Sequence, residues 1–503
     1  MRKKQHKPPN PPSRWWLRPD GEAPGRMLTP FLFGLQNRRL DFVVTMLLII
    51  LVALSRLLAL PASIWDQDEA YFSTGVIEFA PLDNHPHPPW FPLWIVLGKL
   101  GCLAGAEPAA SLQWLSLLFS VWMIFPLTAF WSRLLRRELA VAATLLFFAV
   151  PGVWLLAGRA YTGTAATALL AATLACWLGP GDRRSILIGS LSAGACLLIR
   201  AHFAVVVVPL LIVMWRRRSR SNRWLLVAPM LALLAAGYGW VVVAAGGIRP
   251  LLASVQLHSS IHFGARAGFS PSFSRSGLAQ ALISPVAAAL WITLAVLGTL
   301  VLLRRPRLDS LLPLLAVVLG PLLVLIYLLS NPHHMRYSVP LLAFSSGLVI
   351  VAIARLGKRW VLPIVAGAVA LSCWQVLPIL PQYRNQPGPA PAAVAHALSR
   401  ARASGSVIVA DRTLVSFLDL EQARREFLGT IIRDDQILGG ETPPPPDWAT
   451  IYLFDLGHGG LLERARKQQV FSCREPILRR MAQDRFVEVT VAEGATLSTS
   501  SSR

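Results

Sequence analysis

Three carboxylates lie within four residues of one another in the stretch WDQDEAYF, residues 65 to 72. Asp66, Asp68 and Glu69 are conspicuous because the chain has only 26 acidic residues against 48 lysines and arginines. A carboxylate held near a hydroxyl group can accept its proton in a transition state, so neighbouring carboxylates are typical of general acid–base sites. The structural alternative is a helix start, in which Asp68 caps a short helix that begins at Glu69.

Two histidines follow the carboxylates in the segment DNHPHPPW, residues 83 to 90. A helix cap accounts for one acid and leaves this second polar group unexplained, so a site for a polar substrate is the stronger interpretation. His85 and His87 are spaced by two in a proline-rich, extended segment, so both could face one side and hold a divalent metal together with Asp68. The sequence carries no fingerprint of any other cofactor, and the metal remains an alternative.

The composition of the whole chain indicates a membrane protein. Of its 503 residues 54% are hydrophobic and 15% are charged, and its mean hydropathy is +0.52, which is more apolar than a soluble protein of this length requires. The net charge of +22 does not indicate nucleic acid as a partner, because the basic residues form short clusters between apolar runs. Five scattered cysteines predict no disulfide framework.

Eleven apolar segments are candidate membrane spans, since a spanning helix needs about 20 mostly apolar residues. They lie at 41–61, 109–132, 139–157, 162–179, 185–201, 203–215, 224–245, 279–303, 310–330, 337–355 and 360–380. The loops that this count places on one side are all basic, as cytoplasmic loops are, at 133–138, 181–184, 216–223, 304–307 and 355–359. The pattern predicts a multi-pass protein of the cytoplasmic membrane, in contact with membrane lipids.

The chain divides into three parts. Residues 1–40 form a basic, proline-rich tail expected in the cytoplasm, and residues 41–380 form the transmembrane region, whose first outer loop is 62–108. In residues 381–503 the apolar runs shorten to strand length, at 405–411, 450–456 and 485–493, with helical patterns at 391–403 and 413–428. The fold class is therefore a mainly α, polytopic membrane protein with a small extracytoplasmic α/β domain at its C-terminus.

The first outer loop carries several motifs in a fixed order. DEAYF at 68–72 is followed by HPHPPW at 85–90, by the apolar segment 88–106, which we expect to lie as an interfacial helix, and by GAEPAASLQWLSLLFSV. This order resembles the first outer loop of the GT-C glycosyltransferases, in particular the protein O-mannosyltransferase and aminoarabinose transferase group (families 39 and 83). NPHHMRYSVPLLAFSSGLVIVAI, at 331–353, is similar to the late Arg-Tyr span of that group.

Two positions depart from the pattern of that group. Pro86 precedes His87 where the group often has an acid, and the segment 158–174 has no aspartate where relatives commonly carry Thr-Pro-Asp. Both departures concern the substrate more than the class of reaction.

The resemblance implies a mannosyltransferase-like enzyme that moves a hexose or pentose from a polyprenyl-phosphate donor to a lipid, glycan or protein acceptor, with inversion, outside the cytoplasmic membrane. Asp68 would be the general base, and Glu69 would orient the acceptor or hold the neighbours of Asp68 in place. The donor phosphate needs polar and cationic partners, for which the candidates are His87, Arg336, Arg200, His85 and Tyr337. A transporter or flippase of a lipid-linked saccharide is the alternative, because it would also span the membrane many times.

Overall fold

The computed structural model describes residues 38–179, 181–264, 276–303, 312–324, 334–438, 441–443, 445, 450–455, 465–472 and 488–494. Most of the predicted cytoplasmic tail and the basic loop at 304–307 lie outside the described residues.

Helices form nearly all of the described chain up to residue 385. In order they are α1 (Arg38–Leu58), α2 (Gln67–Ile77), α3 (Pro92–Leu103), α4 (Pro108–Trp122), α5 (Ile124–Leu134), α6 (Arg137–Phe148), α7 (Pro151–Leu156), α8 (Thr162–Trp177), α9 (Arg183–Ile199), α10 (Ala204–Arg217), α11 (Arg220–Ala244), α12 (Ile248–Gly264), α13 (Gly277–Ala281), α14 (Pro285–Leu303), α15 (Leu312–Val324), α16 (Met335–Leu356), α17 (Lys358–Val376) and α18 (Leu380–Asn385).

Several of these helices suit a membrane. Among the described residues five helices are long and apolar enough to span one, judged by length and composition alone. They begin at Pro108, Arg220, Pro285, Met335 and Lys358. The predicted helical, multi-pass character is confirmed, whereas the predicted number of eleven spans is not.

Some predicted segments differ from the observed helices. The predicted span 139–157 is two helices, because Pro151 starts a new one at a position where its missing amide proton costs nothing. The expected interfacial segment 88–106 contains α3, but Trp94 and Ile95 have no exposed surface. These side chains pack inside the protein, so the segment is more than a helix lying on a membrane surface.

The helix α16 lies at the centre of the helical part and carries Arg336 in its first turn. Close packing holds it there, because a Cβ added at Gly347 would lie only 2.2 Å from the Trp131 ring. The Trp131 indole also donates a 3.2 Å hydrogen bond to the Ala343 carbonyl. A helix fixed over its whole length can hold a charged side chain at its end in one place.

The C-terminal part is an α/β domain. It contains α19 (Pro389–Ser404), β1 (Val407–Ala410), α20 (Arg412–Ala423), β2 (Ile431–Arg433), α21 (Asp434–Leu438), β3 (Thr450–Asp455), β4 (Ala465–Ser472) and β5 (Glu488–Gly494). The sheet order is β2-β1-β3-β5-β4, with β2, β1 and β3 parallel and with β5 antiparallel to both β3 and β4. The three predicted strands correspond to β1, β3 and β5, and the prediction omitted β2 and β4.

The predicted sidedness is open to a labelling test. Asp83 in the first outer loop, Ser404 at the end of α19 and Ser219 before α11 are all exposed. We expect Asp83→Cys and Ser404→Cys to react with an impermeant thiol reagent in intact cells, above the background of the native cysteines. Ser219→Cys should react only after permeabilisation, because its loop is basic. Labelling of Ser219→Cys alone in intact cells would invert the topology.

Candidate active site

The carboxylates form the start of α2. Asp66 is the N-cap residue, since its side chain accepts a 2.9 Å hydrogen bond from the Asp68 amide, and the Glu69 carboxylate accepts a 3.1 Å bond from the Asp66 amide to complete a capping box. The expectation that Asp68 caps a helix beginning at Glu69 is therefore wrong, because the cap lies two residues earlier and the helix begins at Gln67. The Asp68 carboxylate is consequently not needed for capping.

Glu69 is a buried anchor with no exposed surface. Its carboxylate accepts hydrogen bonds from the backbone amides of Trp65 at 2.7 Å and Ala160 at 2.8 Å. The Arg159 guanidinium completes the arrangement, with Nε at 2.8 and 2.9 Å from the two carboxylate oxygens and Nη2 in direct contact with Oε2. Since protein donors surround this carboxylate, the geometry fits the predicted holding role of Glu69 and leaves no room for contact with an acceptor.

Asp68 and Arg336 form the ion pair at the centre of the site. The Arg336 Nη1 atom lies 2.7 Å from Asp68 Oδ2 and 3.3 Å from Asp66 Oδ1. Asp68 keeps 17% of its side chain exposed, against 3% for Asp66, so a substrate can reach Asp68. Burial alone would raise the pKa of Asp66, but the positive charges of Arg336 and Arg159 outweigh burial and hold that pKa below its ordinary value.

Two guanidinium groups share one tyrosine ring beside this ion pair. The Arg200 Cζ atom lies 4.8 Å from the centre of the Tyr337 ring, and the Arg336 Cζ atom lies 5.3 Å from the same ring and 5.0 Å from that of Tyr161. Both arginines are buried, and Arg336 Nε has no hydrogen-bond partner among the described residues. Adjacent buried cations with an unused donor make a site suited to an anion such as phosphate.

His87 lies next to the ion pair in an aromatic setting. The centre of its ring is 5.7 Å from Phe72, 5.2 Å from Phe91 and 5.7 Å from His258. Burial lowers the pKa of His87 to about 4, although the nearby Asp68 carboxylate acts in the opposite direction. With this pKa the side chain is a neutral imidazole at neutral pH, and it can still donate an N–H to a phosphate.

His85 occupies a different place. Its Nε2 atom lies 3.7 Å from Asp419 Oδ2 of α20, at the contact with the C-terminal domain. The segment around it is not extended as expected, because Asn84 has a φ of 61° and His85 forms a bridge with Ala80. The two histidines therefore do not share a face, and His85 does not join the proposed phosphate ligands.

The alternative metal set of Asp68, His85 and His87 is not formed. Across the described part of the chain no three histidine, cysteine, aspartate or glutamate side chains are grouped so that they could hold a metal ion.

Four predicted residues thus meet in one place, namely Asp68, Arg336, Arg200 and Tyr337, with His87 at their edge. Three further contributors were not predicted from the sequence: Asp66 as a partner of Arg336, Arg159 as the partner of Glu69, and Tyr161. One signal did exist, because an arginine between apolar runs is costly unless it is paired. Nothing in the sequence showed which carboxylate Arg159 would meet, 90 residues away.

Solved structures share this architecture. ArnT from Cupriavidus metallidurans bound to undecaprenyl phosphate superposes with a TM-score of 0.55 at 14% identity, over 90% of this chain and 98% of that one. The apo form of ArnT gives 0.51 at 13% identity, over 89% and 97% of the two chains. An Archaeoglobus fulgidus oligosaccharyltransferase tethered with an acceptor peptide gives 0.50 at 11% identity, over 84% and 69%. No family model and no curated protein matches the sequence. The chain has the GT-C fold.

Proposed function

We propose that this protein is a membrane glycosyltransferase that moves a sugar from a polyprenyl-phosphate donor to a hydroxyl acceptor outside the cytoplasmic membrane. The observation that carries the proposal is the 2.7 Å contact between the reachable carboxylate Asp68 and the buried Arg336. A transferase of this kind needs a base for the acceptor and a cation for the leaving phosphate on either side of one sugar carbon. This ion pair brings a candidate base and a candidate cation to one site, and in the proposal the sugar of the donor enters between them as the contact opens.

The proposed reaction is a single displacement with inversion. The acceptor oxygen forms a bond to the anomeric carbon while the bond from that carbon to the phosphate oxygen breaks, and the electron pair leaves with polyprenyl phosphate. Asp68 takes the acceptor proton as the new bond forms, since a hydroxyl group is a poor nucleophile until its proton is removed. Atoms and charge balance without any further reactant.

The two arginines stabilise the leaving group in this proposal. Negative charge gathers on the phosphate as the glycosidic bond breaks, and cations already fixed in place stabilise it without reorganisation. Arg336 offers its unused Nε, and Arg200 lies against the same Tyr337 ring, with its Cζ atom 4.8 Å from the ring centre. Inversion requires the acceptor on the opposite face of the sugar, which is the side of Asp68. His87 adds a neutral hydrogen-bond donor at the edge.

Two further facts support this assignment. The chain has the GT-C fold, and the similar ArnT structure contains undecaprenyl phosphate. The site also lies where the loop that carries α2 meets the start of the apolar helix α16, and in this proposal the polar head of the donor lipid binds there.

Proteoliposomes that contain the purified protein and a radiolabelled polyprenyl-phosphate sugar test the proposal. With an extract of envelope lipids, glycans and proteins as acceptor, we expect free polyprenyl phosphate to appear together with labelled acceptor. A transporter would move the intact donor between leaflets and leave its glycosidic bond uncleaved. That result, with a correctly folded protein, would replace the enzyme by the transporter.

Arg336→Ala is expected to weaken donor binding about tenfold to a hundredfold, because hydrogen bonds to charged groups contribute about 1.5–3 kcal/mol. Arg336→Lys should recover part of the loss, since it keeps the charge but not the planar guanidinium. Arg384→Ala, an exposed arginine in α18, is the matched control and should bind donor normally. Titration with a fluorescent polyprenyl-phosphate analogue measures all three. Unchanged affinity in Arg336→Ala would remove this residue from the phosphate site.

A further inference from the structure

The helix α20 of the C-terminal domain packs directly on the catalytic helix α2. Ala70, two residues after Asp68, has no exposed surface and belongs to one apolar cluster with Leu414, Phe417 and Leu418 of α20. Ile64, on the other side of the carboxylates, joins the same cluster. The hydrophobic core of the C-terminal domain therefore continues into the loop that carries Asp68.

Polar contacts extend this connection to the middle and to the far end of the first outer loop. Asp419 of α20 faces His85 at 3.7 Å, two residues before His87. Arg424, just after α20, forms an ion pair with Glu107, which is the N-cap residue of α4. The α20 segment thus contacts the loop before α2, within α2, between α2 and α3, and after α3.

A short helix such as α2 needs this support. It has only 11 residues, and isolated helices of fewer than about 12–15 residues are marginal in water. The Glu69 and Arg159 pair fixes the first turn of α2 to the segment before α8, while the next residue, Ala70, packs against α20. Because a displacement of about 1 Å at a reacting group can cost about a hundredfold in rate, the support from α20 bears on catalysis.

We propose that the apolar face of α20, centred on Phe417, is a positioning element that holds Asp68 in its working place. Phe417 itself touches no reacting group in this account, so it is a positioning residue. The proposal rests on the proposed function, in which Asp68 is the general base. In this proposal the C-terminal domain contributes to the reaction by holding α2 in position.

The two faces of the sheet provide a matched control. Phe417 has 2% of its surface exposed and lies in the cluster that includes Ala70. Phe454 of β3 is fully buried in a separate cluster with Val409 and Tyr452, which contains no residue of α2. Replacing either ring with alanine empties the interior of the same domain, but only the first change removes support from α2.

The experiment compares Phe417→Ala with Phe454→Ala in the full-length protein. We expect Phe417→Ala to lower the kcat of sugar transfer about tenfold with unchanged donor affinity, and Phe417→Leu to restore most of it, because leucine still fills the space under α2. Phe454→Ala should keep a kcat close to that of the wild type. Amide hydrogen exchange should accelerate over residues 67–77 in Phe417→Ala only.

Each outcome decides the proposal. Equal effects of the two alanine variants on kcat and on exchange would show general loosening of the domain and would overturn the positioning role, as would normal values in both. If the wild type transfers no sugar, the proposed function fails, and the exchange comparison still decides whether α20 holds α2. If Phe417→Ala does not fold, Leu414→Ala of the same cluster takes its place against Phe454→Leu.

Discussion

Asp68→Asn should lower the turnover of sugar transfer at least about a hundredfold, because the amide keeps the size of the side chain but cannot accept the proton of the acceptor. Donor affinity should be retained or rise, since Arg336 loses the carboxylate that lies 2.7 Å from its Nη1. Initial rates with saturating donor, together with donor titration, separate the two effects.

Two neighbouring aspartates serve as comparisons for this variant. Asp83→Asn, an exposed acid in the same loop, should leave turnover unchanged. Asp66→Asn keeps an N-cap acceptor but removes a negative charge that faces Arg336, so we expect a smaller loss of turnover than in Asp68→Asn. Wild-type turnover in folded Asp68→Asn would show that the base lies elsewhere.

Glu69→Gln is predicted to destabilise the first outer loop severely. The substitution leaves Arg159 fully buried with its charge uncompensated, and breaking a buried ion pair by removing one partner costs about 3–5 kcal/mol. We expect a strongly lowered melting temperature in detergent and poor yield of folded protein. Turnover should fall as well, because the α2 start and Asp68 depend on the Glu69 anchor.

An exposed ion pair provides the control for Glu69. Glu107→Gln breaks the contact with Arg424, but Glu107 keeps 54% of its side chain exposed, so the cost should stay below about 1 kcal/mol. Combining Glu69→Leu with Arg159→Leu should be less harmful than the sum of the two single changes, since no unpaired charge remains. A melting temperature of Glu69→Gln equal to that of Glu107→Gln would contradict the anchoring role.

The fold could be predicted where local pattern decides it. Long apolar runs predicted the helices of the membrane part, and short apolar runs of strand length predicted β1, β3 and β5. The strand β4 was not predicted because it is an edge strand. Gln468, Gln469 and Val470 are all exposed, so its sequence ARKQQVFS shows no alternation of apolar and polar residues. The strand β2 was not predicted because three residues are too few to show the hydrophobic periodicity of a strand.

The sequence identified several residues of the site but not which of them contact one another. DEAYF and RYSVP pointed to Asp68 and Arg336, but only the fold shows that they meet 268 positions apart in the chain, at 2.7 Å. The cap at Asp66 follows from a local pattern, because Asp66 and Glu69 have the spacing of a capping box, whereas the pairing of Asp68 with Arg336 depends on the fold. The divergence of His85 from His87 depends on a turn at Asn84 that a proline-rich segment does not reveal.

The stereochemistry of a single turnover tests whether Asp68 acts as the base of an inverting sugar transfer. Purified protein would receive a polyprenyl-phosphate sugar labelled with carbon-13 at the anomeric centre, with and without the envelope acceptors, and nuclear magnetic resonance would follow that carbon. The account predicts acceptor-dependent release of polyprenyl phosphate and a product with the inverted anomeric configuration, both abolished on this time scale in Asp68→Asn. A product that retains the configuration of the donor, or a donor bond that stays intact with every acceptor, would contradict it.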